Sequence, residues 1–128
     1  MTDPIARYEF FEDDSSALVL SIVGELDLSN VGGLRQEIHQ RLSHPRLIID
    51  FRGTTYIDSA GLALIADVSR TATPVAVHLV AQPHTTVWRT LRVAGFTEIF
   101  PVHAGLESAV GSARTATALA PPPSPRPQ

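Results

Sequence analysis

The 128-residue chain contains neither cysteine nor lysine. Without cysteine there are no disulfides, no thiolate chemistry and no Cys-ligated metal, a composition that suits the cytoplasm. Without lysine a Walker-type phosphate loop is excluded, because that loop sets a Lys on the bound phosphates. A receiver-type acceptor, which keeps a Lys beside its Asp, is disfavoured on the same ground. Any phosphate on this chain is therefore expected to come from a separate kinase. The ten basic residues are all Arg and nowhere clustered, and the net charge is −3, so electrostatic capture of nucleic acid is not expected. No apolar run approaches the roughly 18 residues a membrane span needs, so no membrane insertion is expected. Met1-Thr2-Asp3-Pro4 has neither the basic region nor the apolar core of a secretory signal.

What remains is an ordinary globular composition, 44% hydrophobic and 18% charged. A single domain of this size buries roughly two thirds of the surface its unfolded chain exposes. Its most informative stretch is Leu47 to Val68. Leu47 to Phe51 is a short, branched apolar run that reads as a strand buried on both faces. Gly53-Thr54-Thr55 reads as a short extended link, and Tyr56-Ile57 returns to the core. Leu62, Leu64, Ile65 and Val68 then form a nearly all-round apolar helix. Asp58 and Ser59 fall at its start, where Asp and Ser are favoured caps worth about 1 kcal/mol. A helix N-terminus also carries free N–H groups and partial positive charge, so a phosphate is well accommodated there. Gly61 is expected to leave the turn open to close approach by a partner protein.

The segment Gly53-Thr54-Thr55-Tyr56-Ile57-Asp58-Ser59-Ala60-Gly61-Leu62 closely resembles the signature of the STAS domain found in anti-sigma factor antagonists. Gly24-Glu25-Leu26-Asp27 matches the turn that closes the second strand in that family, and Leu91 to Phe100 resembles its third-helix exit. The resemblance spans about residues 7–113. It implies an α/β fold, a central mixed sheet of four to five strands packed with about four helices. It also implies that Ser59 is the phosphoryl acceptor, that Asp58 is its companion, and that Asp27 and Asn30 lie near the same turn. Ala60, Gly61 and Leu62 complete the expected partner-binding residues. The chain departs from the commonest form of the motif at Ala60, which leaves one hydroxyl in the turn, and at Ala63, which stiffens the helix. The function implied is that of an anti-sigma factor antagonist. Unphosphorylated, it would bind an anti-sigma factor with serine kinase activity and free a sigma factor; phosphorylated on Ser59, it would not. A phosphoserine phosphatase would reset it, and the chain itself would have no cofactor, metal or catalytic residue. The alternative is an unswitched scaffold subunit of a signalling or lipid-transport complex.

In chain order, Arg7–Phe11 and Ala17–Val23 read as an antiparallel hairpin around a polar turn at 12–16. Ser29 or Asn30 would cap a first helix whose Val31, Leu34, Ile38 and Leu42 share one face. Gly32-Gly33 marks a frayed or closely packed first turn, and Ser43-His44-Pro45 ends the helix. After the Ser59 helix, Thr71–Pro74 breaks the chain. Val75–Val80 is a strand parallel to the central one, because strand-helix-strand connections cross over right-handed. Pro83-His84 would open a third helix carrying Val87, Leu91 and Ala94, with Gly95 ending it. Thr97–Phe100 reads as a last short strand, followed by a helix with Leu106, Ala109, Val110 and Ala113 on one face. The expected organisation is a flexible terminus over 1–6, one domain over 7–115 and a disordered Pro-rich tail over 116–128.

A serine hydrolase is the competing chemistry for Ser59. A nucleophile elbow needs Gly two residues before the Ser, where this chain has Ile57. No His partner is evident either: His39, His44, His78, His84 and His103 read as surface or helix-end residues, without the i, i+4 spacing of a helical zinc site. Trp88 reads as half-buried packing on the third helix.

Overall fold

The computed structural model describes residues 6–12, 17–41, 43–70 and 76–111. A five-stranded mixed sheet runs in the order β1 (Ala6–Glu12), β2 (Ala17–Leu26), β3 (Arg46–Ile57), β4 (Ala76–Val80), β5 (Val102–His103). The first pair is antiparallel and every later pair parallel. Helices are α1 (Leu28–Arg41), α2 (Ser59–Ser69), α3 (Thr86–Val93) and the single turn α4 (Phe96–Ile99); residues 106–111 form α5. Among the described residues no helix is long and apolar enough to cross a membrane.

Strand side chains alternate between faces, and the two faces differ. Leu18, Leu20 and Ile22 of β2, Leu47, Ile49 and Phe51 of β3, and Val77 and Leu79 of β4 point to one side. There α1 (Val31, Leu34, Ile38), α2 (Leu64, Ile65, Val68) and α3 (Val87, Leu91) close over them. The alternate residues Ala17, Val19, Ile48 and Val80 form a smaller core beneath Ala109, flanked by Leu106 and Val110 of α5. Asp50, on this second face and 4% exposed, is tolerated because Arg52 donates to it from its backbone N (3.0 Å), Nε (3.0 Å) and Nη2 (2.9 Å).

Several local expectations need correction. The link Gly53-Thr54-Thr55 is strand: β3 continues through it to Ile57, still paired with β2 through two register shifts, and Thr54 Oγ1 donates to Ile22 O at 2.7 Å. Thr97–Phe100 is not a strand. Gly95, at φ +84°, ends α3 and starts the helical turn α4, and the fifth strand follows at Val102. The third helix begins at Thr86, capped by the Thr85 side chain rather than opened by Pro83-His84. Gly32 and Gly33 are neither frayed nor closely packed, for both are helical and a Cβ on either would have open space. His78 is buried in β4 rather than at the surface. The turn over 13–16, Leu42, Thr71–Pro74, Ala113 and the tail lie outside the described residues, as does the terminal segment up to residue 5. Ala6 already belongs to β1.

Candidate functional site: the paired helix starts at Asp27 and Asp58

The site lies where β2 and β3 end side by side and each hands over to a helix. Leu26 and Ile57 are sheet partners, and Asp58 N donates to Leu26 O at 3.2 Å, so the residues after each strand are held together. Asp58 is extended at φ −103°, ψ −172° and is the N-cap of α2. Its Oδ1 accepts from Ala60 N (2.9 Å) and Gly61 N (3.0 Å), two of the amides that have no partner inside the helix. Its Oδ2 accepts from Leu28 N (3.3 Å), the first residue of α1. One carboxylate thus ties together the starts of two helices.

Ser59 is the next residue, at the first helical position. It is exposed, and its hydroxyl makes no hydrogen bond among the described residues. On the neighbouring turn Asp27, not Ser29 or Asn30, is the capping residue. Its Oδ1 accepts from Ser29 N (3.0 Å) and Ser29 Oγ (2.6 Å), while its own N–H donates to Asn30 Oδ1 (3.0 Å). Asn30 Nδ2 in turn donates to Glu25 O (2.9 Å). This reciprocal arrangement is a capping box built from Asp and Asn.

Asp27, Asn30, Asp58 and Ser59 are therefore brought onto one end of the molecule, joined through the Asp58–Leu28 bond. Ala60 and Leu62 are half-buried against the main core. Gly61 has a different role from the one expected. It is buried, and a Cβ there would meet Ile57 Cγ1 at 2.6 Å and Leu26 Cδ2 at 3.2 Å. Its missing side chain lets α2 seat against the two strand ends and does not open the outer surface. The amides of Ala60 and Gly61 are likewise not free for a phosphate, since Asp58 already occupies them. Neither Asp27 nor Asp58 is paired with an Arg among the described residues, so only backbone N–H groups and the Ser29 hydroxyl offset their charge.

Two features of this end were not legible beforehand. Leu28, outside the Val31, Leu34, Ile38 face, is 77% exposed beside Asp58. A mostly apolar groove of about 390 Å³ runs between α2 and α3, lined by Leu62, Thr86, Arg89, Thr90, Val93 and Ala94. Val93, 88% exposed, stands on its rim. No histidine bonds Ser59 among the described residues. The one Ser–His contact there is Ser108 Oγ to His103 Nδ1, at 3.0 Å. No group of three or more metal-ligating side chains is placed to hold an ion among the described residues.

The STAS domain family model matches residues 11–109. A search of curated proteins finds no significant match. Among solved structures the chain is similar to an anti-sigma factor antagonist from Mycobacterium paratuberculosis, at 24% identity and TM-score 0.77, over 89% of this chain and 99% of that one. It is similar to the Bacillus cell fate determinant SpoIIAA in its phosphorylated form, at 21% identity and TM-score 0.64, over 84% of this chain and 100% of that one. A sulfate transporter family protein from Wolinella succinogenes is similar at 14% identity and TM-score 0.71, over 84% and 92% of the two chains. At these identities the likeness to the solved structures is one of fold.

Proposed function

The chain belongs to the STAS domain family, and from that premise we propose that it is an anti-sigma factor antagonist switched at Ser59. In the cytoplasm the unphosphorylated protein docks an anti-sigma factor that is also a serine kinase, and the sigma factor is freed. The docking surface is the end bearing Asp27, Asn30, Asp58, Ser59, Ala60 and Leu62, extended by the apolar groove beside Leu62, with Gly61 seating α2 beneath it. The observation that carries this reading is Ser59 itself: an exposed hydroxyl with no hydrogen bond among the described residues, on a backbone pinned by the Asp58 carboxylate. A rigidly displayed hydroxyl suits phosphoryl transfer, which depends on positioning more than on covalent help from the acceptor chain. The Oγ–P bond forms as the bond between the γ-phosphorus of the kinase's ATP and its bridging oxygen breaks. The kinase supplies the base that takes the hydroxyl proton. The chain is then substrate and binding module, and a separate phosphatase resets it.

The switch follows from charge. A phosphoserine adds about −1.5 to −2 charges. Asp58 already offsets the positive end of the α2 dipole, so the new phosphate meets the fields of Asp58 and Asp27 with little compensation. Re-docking is opposed, and every 1.4 kcal/mol of repulsion and desolvation weakens the complex about tenfold.

The test is phosphopeptide mapping of the protein isolated from its own cells, before and after phosphatase, together with kinase capture by Ser59→Ala and Ser59→Asp. One removable phosphate on Ser59 is expected, with capture by the Ala variant and not by the Asp variant. A chain that is never phosphorylated, or an Asp variant that binds as well as wild type, overturns the switch. The likeness to a sulfate transporter family protein favours a second reading, an unswitched scaffold. That reading requires a stoichiometric complex indifferent to both substitutions.

A further inference from the structure

Two imidazoles play no part in the Ser59 switch. His78 lies within β4 and is only 9% exposed. Its Nδ1 is 3.1 Å from Nε2 of His103 in β5, and the two rings stack at 5.3 Å between centroids with 15° between planes. The other nitrogen of His103, Nδ1, meets Ser108 Oγ on α5 at 3.0 Å. The contacts therefore run from β4 through β5 to α5, on the face where Ala109 covers Ala17, Val19, Ile48 and Val80. Twenty-five residues separate the two histidines, and the parallel pairing of β4 with β5 brings them together.

A hydrogen bond between two imidazole nitrogens needs one donor and one acceptor. Neutral rings supply this, and the chain can then end on the Ser108 hydroxyl as donor or acceptor. With both rings protonated, the Nδ1–H of His78 faces the Nε2–H of His103, donor against donor and charge against charge. The surroundings offer little relief. On β3, Arg46 lies on the same face as His78 and adds positive charge. Asp50, also on that face, is already held by Arg52. On α5, Glu107 lines a hollow with that same Arg52.

We infer that His78, His103 and Ser108 form a proton-sensitive latch that holds α5 against the sheet at neutral pH and releases it in acid. Burial pushes the pKa of both rings below the ordinary His value, and for His78 the nearby His103 and Arg46 push the same way. The released state therefore binds more protons than the latched one. The latch is intact above the ordinary value of about 6.5 and weakens as pH falls below it. It is also remote from the switch. Its β3 neighbour Ile48 lies nine residues before Ile57, at about 3.3 Å per residue, and on the opposite face from α2. Release of α5 therefore leaves the Ser59 turn in place.

The experiment is amide hydrogen exchange from pH 7.5 to 5 on the full chain, corrected for the intrinsic pH dependence of exchange. Protection of residues 106–111 should fall by about tenfold per pH unit below 6.5 for each proton taken up. Amides of β2 and β3 should keep their protection. Ser108→Ala, a change on an exposed helical position, should lower protection of 106–111 at pH 7.5. His103→Phe keeps a ring against His78 but takes no proton, and should flatten the pH dependence by about half or more. Protection of 106–111 that is independent of pH, or absent at pH 7.5, overturns the latch. So does a loss shared equally by the whole sheet, and so does a Ser108→Ala variant indistinguishable from wild type.

Discussion

Two helices of this chain start in the same way and finish with different chemistry at their first turn. Each follows a strand, each is capped by an Asp, and each carries a serine within two residues of the cap. In α1 the serine is at the second helical position, where Asp27 takes both its N–H and, at 2.6 Å, its hydroxyl. In α2 the serine is one place earlier, and Asp58 reaches past it to the amides of Ala60 and Gly61. A shift of one residue decides whether a hydroxyl is used inside the protein or presented outside it. The first position of α1 is taken by Leu28, equally presented but without a reactive atom.

The two serines should differ most in phosphorylation. Under the proposed switch Ser59→Ala takes the phosphate from one per chain to none, whereas Ser29→Ala leaves it at one; intact mass after treatment with the kinase reads both. Phosphate appearing on Ser29 would mean that hydroxyl presentation does not select the acceptor.

Next in size is the removal of each cap. Asp58→Ala deletes acceptors for three amides on two helices and should cost about 2–3 kcal/mol in urea unfolding. Asp27→Ala should cost about 1 kcal/mol, because the Asn30 side chain still accepts from the backbone amide at position 27. Equal costs for the two would show that the Asp58–Leu28 bond contributes nothing, and that the two helix starts are independent.

The sequence made some of this readable and hid the rest for definite reasons. Leu47–Phe51 and the Val31, Leu34, Ile38 face were legible because burial repeats with the period of the element. The Asp-Ser step was legible because capping is local. Gly61 was misread because what it avoids, Leu26 Cδ2 and Ile57 Cγ1, comes from two strands, one of them 35 residues away. The His78–His103 contact was invisible for the same kind of reason, since strand register made it and no spacing announced it. Thr97–Phe100 failed differently: four mixed residues fit a strand or a helical turn equally well, and Gly95 at positive φ settled the matter. Gly53-Thr54-Thr55 looked like an extended link because the apolar run ends at Phe51. Yet Gly53 sits opposite Val23, where a Cβ would come within 2.9 Å of Val23 Cγ2, so it serves close strand packing.

Gly61→Ala comes third. Its backbone is helical, so added strain comes from the clash alone, a Cβ at 2.6 Å from Ile57 Cγ1. Overpacking of about 3 kcal/mol, offset by about 1 kcal/mol of helix propensity, leaves a net loss near 2 kcal/mol. A neutral result would mean that α2 can lift from the strand ends without cost, and that Gly61 is there for a partner after all.

The smallest effect has the opposite sign. Gly32 is also a helical glycine one turn into its element, but it is exposed, and a Cβ there would find nothing within 4 Å. Gly32→Ala should therefore gain about 1 kcal/mol, partly by restricting the unfolded chain, and raise the thermal midpoint by about 4 °C. Because the added methyl reaches no other element, the gain should add to that of distant substitutions and leave kinase binding unchanged. If Gly32→Ala instead weakens binding without losing stability, the first turn of α1 belongs to the docking surface, and Leu28 is the contact to substitute next.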